Sequence, residues 1–182
     1  MATLGPLSPA TMTNDTAFGT TAWSNPGNVA SNNGQLATAT LVGSDTNYLK
    51  VVGFSFSGLS DVAIVTSITV RVRKRSTSAI SCEDVRVRLV KADVVQTADL
   101  SETGATWANT NVTTLYTFTG ANLVGWTGAD VKAATFGAVF AATGSGDTAN
   151  VDSIQIALDY TEPSAGSSGS ARANRLLTPR AA

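Results

Sequence analysis

The chain has 182 residues, 12 Lys and Arg against 13 Asp and Glu, a net charge of −1 and no histidine. Its length suits one domain with appendages, and a sequence pI near 5.3 argues against a dedicated nucleic-acid binder, which would carry a basic surface. Without histidine, the usual general base near neutral pH, the commonest metal ligand and the Ser-His-Asp mechanism are all missing, so an enzyme is not expected.

The lone Cys82 can form no internal disulfide and no protein zinc site, and no cofactor is expected. No run approaches the roughly 20 apolar residues that span a bilayer. The start MATLGPLSPATMTND lacks the basic and apolar stretches of a secretory signal. A soluble product of the cytoplasm with no membrane partner is the expectation.

Residues 1–20 are rich in Thr, Ala, Gly and Pro and hold no basic residue, which reads as an extended N-terminal arm. A β-domain is expected over 21–162. Strand-like segments follow at 35–42 and 48–56, rich in β-branched or aromatic residues. The clearest is 62–75, where Val62, Ile64, Ile68, Val70 and Val72 share one face and Ser67, Thr69, Arg71 and Arg73 the other. Residues 84–89 repeat the pattern, with Val85, Val87 and Leu89 expected inward and Arg86 and Arg88 outward.

Further strands are expected at 112–119 and 135–143, and between them 127–132 offers a single helical turn with Thr127 as its N-cap. The last is 151–160. Its Ile154, Ile156, Leu158 and Tyr160 alternate with Ser153, Gln155 and Asp159, the signature of a half-buried strand at the edge of a β-domain. From Pro163 the chain becomes a polar Gly/Ser-rich tail, in which Leu176 and Leu177 lie among Arg172, Arg175 and Arg180.

The fold class is therefore all-β. Strands at this spacing point to an antiparallel two-sheet β-sandwich with an arm at each end. A jelly roll is favoured over an immunoglobulin topology because there is no Cys-Trp-Cys framework. No internal repeat indicates a propeller or solenoid.

Several segments together resemble a family. Ala22-Trp23-Ser24-Asn25-Pro26-Gly27-Asn28-Val29-Ala30, Asn33-Gly34-Gln35-Leu36-Ala37-Thr38-Ala39 and Tyr48-Leu49-Lys50 resemble a small β-sandwich module of tailed-bacteriophage virion proteins. Ile64-Val65-Thr66-Ser67-Ile68-Thr69-Val70 looks like its central strand. Leu123-Val124-Gly125-Trp126, Phe136-Gly137-Ala138-Val139 and Val151-Asp152-Ser153-Ile154 look like its closing strands.

The resemblance covers about residues 20–161 and implies a structural role in the virion. The module stands without a coiled-coil or repeat stalk, which favours a capsid decoration or cement subunit. Its partners would be the major capsid protein or other virion proteins, and it would be a homo-oligomer, a trimer suiting lattice decoration. A neck or tail-surface component and a carbohydrate-binding module for host adhesion are the alternative readings.

Seven of the 12 basic residues fall within 71–91. If the strands at 62–75 and 84–89 were neighbours, Arg71, Arg73 and Arg75 would lie beside Arg86 and Arg88, and such like-charge rows are destabilising unless acids or a partner relieve them. An acidic capsid surface would do so. The plain reading is a solvated face balanced by Glu83, Asp84 and Asp93.

Trp23, Trp107 and Trp126 could stack sugars, or plug the ends of the sandwich. Asp147 and Asp152 could bind calcium, or shape a hairpin loop. Glu83, Glu102 and Glu162, the only glutamates, form no acid/base frame. In the tail, Leu176, Leu177, Arg172, Arg175 and Arg180 could add a strand to a neighbour or fill its groove, or form an unstructured terminus.

Overall fold

The computed structural model describes residues 1–163. Its ten strands are β1 (Ala2–Leu7), β2 (Thr11–Asp15), β3 (Ala37–Val42), β4 (Tyr48–Val52), β5 (Ile64–Ser76), β6 (Glu83–Lys91), β7 (Val94–Val95), β8 (Val112–Thr119), β9 (Gly137–Thr143) and β10 (Ser145–Thr161). They form two five-stranded antiparallel sheets. The first has the order β1-β10-β5-β8, with β3 also on β10; the second has the order β2-β4-β9-β6-β7. Without β1 and β2, the eight remaining strands run β3-β10-β5-β8 and β4-β9-β6-β7, the double Greek key of a jelly roll. The all-β sandwich read from the sequence is the fold observed.

Successive strands change sheet at almost every step, so each strand needs one apolar face directed between the layers. Ile68, Val70 and Val72 of β5, Val87 and Leu89 of β6, Phe118 of β8, Phe140 of β9 and Ile154, Ile156 and Leu158 of β10 fill that space. Each such side chain contributes about 1.5–3 kcal/mol when fully buried. A smaller cluster, Tyr48, Val90, Val139 and Ala141 with Phe18, Val52, Val85 and Val95, lies apart from this core.

The structure corrects four readings. Residues 1–20 do not stand off as an arm: β1 pairs with β10 and β2 with β4, placing one N-terminal strand in each sheet. The β1 ladder is interrupted between Leu4 and Leu7, around Pro6, consistent with the confinement of proline to edge strands. Nor is the 151–160 segment an edge. It belongs to the 17-residue β10, which has β5 along one side and β1 and β3 end to end along the other.

The other two corrections come from β-bulges, which insert one residue and reverse the alternation of faces. In β5 the register shifts where Tyr160 pairs with Val65 and Asp159 with Ser67, so Val65 is buried while Val62 and Ile64 are exposed. In β6 the shift lies between Asp84 and Arg86. It turns Asp84 into the core and leaves Val85 in the smaller cluster.

The strand expected to run to residue 56 ends at Val52, because Gly53 takes a left-handed φ of 81°. The bend lets Phe54 and Phe56 both enter the core. The expected helical turn is α1 (Gly128–Lys132), with Thr127 and Asp130 forming a capping box.

Candidate functional site

The arginine rows do not form one patch, because β5 and β6 belong to opposite sheets. Arg71, Arg73 and Arg75 alternate with the buried Val72, Lys74 and Ser76 and occupy the outward face of the first sheet. Arg71 stands beside Leu115 of β8 and Gln155 of β10; Arg73 stands beside Thr113 and Ser153. Arg73 Nε meets Asp152 at 3.0 Å. Arg71 Nε and Arg75 Nε are buried without a hydrogen-bond partner among the described residues. Leu115 is 57% exposed, so this face combines positive charge with an open apolar side chain.

Arg86 and Arg88 are neutralised locally. Asp99 lies 3.6 Å from Arg86 and 2.9 Å from Arg88, and Arg86 also stacks over Phe18 at 4.9 Å. Burial pushes the Asp99 carboxyl upward, but N–H groups of Val87 and Ser101 and the Arg88 guanidinium outweigh it and hold the group below its ordinary value. The acids expected to balance these rows act elsewhere. Asp84 is interior, Glu83 accepts from the Gly104 N–H at 2.8 Å, and Asp93 pairs with Lys50 at 2.7 Å.

Between the sheets lies a polar group that the arginine pattern conceals. Lys74 of β5 points inward, and its Nζ is 2.5 Å from Asp84 Oδ1 and 2.5 Å from the Tyr116 hydroxyl. Tyr116 in turn donates to Asp84 Oδ2 at 2.5 Å, and Trp107 Nε1–H donates to Asp84 Oδ1 at 2.8 Å. The Lys74 ammonium sits 5.0 to 5.6 Å from the ring centroids of Trp107, Tyr116 and Phe140.

Burial lowers the pKa of Lys74 despite the opposing pull of Asp84, and burial together with the Asp84 charge raises that of Tyr116. A recess of about 230 Å³ opens beside the group, lined by Lys74, Glu102, Trp107 and Thr114 among others. One signal for this cluster was present in the sequence: Lys74 occupies the inward parity set by Val70 and Val72.

All three tryptophans are 4% exposed. Trp23 Nε1–H donates to the Asn47 carbonyl at 2.8 Å, Trp126 packs edge-on to Phe136 at 5.9 Å, and Trp107 joins the Lys74 cluster. None presents an open face for sugar stacking.

Asp147 accepts the N–H groups of Thr77, Ser78, Ile80 and Thr148 at 2.8 to 3.4 Å and so shapes the loop after β5. Asp152 accepts from Gly34 N–H at 2.9 Å as well as from Arg73. Among the described residues no group of three acids or thiols is arranged to hold a metal. Glu162 accepts two hydrogen bonds from Ser60, far from Glu83 in the fold. Arg172, Arg175, Leu176, Leu177 and Arg180 lie outside the described residues. No model of a known protein family matches the chain, and no curated protein does either.

Proposed function

We propose that the protein is a non-enzymatic structural subunit of a tailed-bacteriophage virion, acting as a capsid decoration or cement protein that binds the major capsid lattice and stabilises the head. The observation that carries the attachment half of this reading is the outward face of the first sheet. Arg71, Arg73 and Arg75 lie in line on one strand, only Arg73 of the three pairs with an acid among the described residues, and Leu115 is exposed beside them. Such a face suits an acidic protein surface, because unrelieved guanidinium groups gain charge-assisted hydrogen bonds there. The virion half rests on the resemblance, and the jelly-roll topology agrees with the fold that the resemblance implies.

Attachment would be multivalent. Modest contacts repeated over a symmetric shell add up, and they resist local opening of the lattice. The test replaces Arg71 and Arg75 by Ser and measures occupancy on particles across a range of salt. Occupancy is expected to fall and to lose its salt dependence; unchanged occupancy would remove this face from the interface. Copy number per particle then separates a shell subunit, present in many copies, from a neck or tail component, present in a single ring.

A further inference from the structure

We propose that Lys74 and Asp84 condense to an intramolecular isopeptide bond that ties the two sheets together. The two side chains come from consecutive strands in opposite sheets, and Nζ already rests 2.5 Å from the carboxylate it would attack. Three features of the surroundings suit acyl transfer better than a resting ion pair.

The first is exclusion of water. Lys74 is 6% and Asp84 1% exposed, inside walls of Trp107, Tyr116 and Phe140. In such a site an ion pair loses most of its advantage over the neutral amine and acid. Burial lowers the pKa of Lys74 accordingly, which favours the nucleophilic form.

The second is polarisation. Trp107 Nε1–H holds Asp84 Oδ1 at 2.8 Å, so a donor is in place for the oxygen that carries charge in the tetrahedral intermediate. The third is a proton path. The Tyr116 hydroxyl lies 2.5 Å from Lys74 Nζ and 2.5 Å from Asp84 Oδ2, which places one group between the atom that loses a proton and the atom that gains it.

The step balances without a co-reactant. Proton transfer within the pair gives the amine and the carboxylic acid. Nζ attacks Cγ, the Nζ–Cγ bond forms and the Cγ–Oδ2 bond breaks. Tyr116 passes the proton released by nitrogen to Oδ2, which departs as water, and Oδ1 becomes the amide oxygen. The recess beside Lys74 and Trp107 gives that water an exit. Fixed geometry supplies the effective concentration that lets an unactivated carboxyl react.

The test is the mass of the purified full chain and of its proteolytic peptides. The expected chain is lighter than its sequence by one water, and digestion yields a branched peptide joining the segment around Lys74 to that around Asp84. Linear peptides carrying an unmodified Lys74 and Asp84, in a chain of full sequence mass, would overturn the proposal. Loss of water at Asp84 without the branch would overturn it too. Tyr116→Phe keeps both reacting groups and removes the proton path. The purified Tyr116→Phe chain is expected to hold at least tenfold less branched peptide than the unsubstituted chain prepared in the same way, and an equal yield would remove Tyr116 from the reaction.

Discussion

The two ends of the sandwich are closed by different chemistry. Near the start of β5, Phe54, Phe56, Phe136 and Trp126 pack with ring centroids 5.9 to 6.3 Å apart, and the Val65 N–H bonds to the Trp126 carbonyl. Near the end of β5, the same space is filled by Lys74, Asp84, Tyr116 and Trp107. The aromatic end is held by area and shape, so it responds to volume in small steps. The polar end is held by mutual satisfaction, and removing any one member strands the others in a medium that cannot solvate them. A jelly roll can thus fasten its layers by a graded device at one end and an all-or-none device at the other.

The largest effect should come from breaking the polar end on one side only. Asp84→Ala leaves Lys74 without its counter-charge or acyl partner, and a loss of about 3–5 kcal/mol is expected from chemical denaturation. Lys74→Met combined with Asp84→Leu should lose less than half of that, since no buried charge remains. At the aromatic end Phe136→Leu should lose about 1 kcal/mol. Were the Lys74/Asp84 losses simply additive, the contrast between the ends would fail.

A second effect concerns the loop that leaves the polar end. Burial pushes the Asp147 carboxyl upward, but N–H groups of Thr148, Ser78, Ile80 and Thr77 outweigh this and hold it below its ordinary value. A carboxylate whose folded value is depressed contributes stability that is full above the unfolded value, roughly 3.9, and that fades as pH falls through the folded value. Asp147→Asn should therefore lose about 1–2 kcal/mol at neutral pH. Its stability should also fall less steeply than that of the unsubstituted protein between roughly pH 4 and pH 2.

The smallest effect belongs to the aromatic end. Ala92 and Asp93 connect β6 to β7 with φ of 49° and 66°, a two-residue turn that favours Asn at its first position. Ala92→Asn should gain about 0.5 kcal/mol, read as a small rise in melting temperature. A loss would show that the turn is set by the Lys50–Asp93 pair instead.

Strands with sustained period-two alternation were legible before the structure. β8 runs over Val112–Thr119, as expected, and β5, β6, β9 and β10 differ only at their ends. β1, β2 and β7 were not legible. The first is broken by Gly5-Pro6, the second is short and closes on Asn14-Asp15, and β7 has two residues, so neither propensity nor period marks them.

Alternation specifies the face of a side chain but not the neighbour of its strand, so it left open an arrangement with the arginines of β5 and β6 side by side, whereas they lie on opposite sheets. A single inserted residue also reverses every face beyond it. That is how Ile64 and Val85 were assigned to the interior and Asp84 to the surface. The Lys74 cluster was only half visible, because its partners come from two sheets and a loop that no local pattern links.

One consequence follows from the pairing of Ala2 with Tyr160. Because β1 and β10 are antiparallel, Met1 and Glu162 leave the body at the same corner. Tension applied between those two points would peel β1 from β10 one rung at a time instead of shearing the whole ladder, a low-force mode of opening.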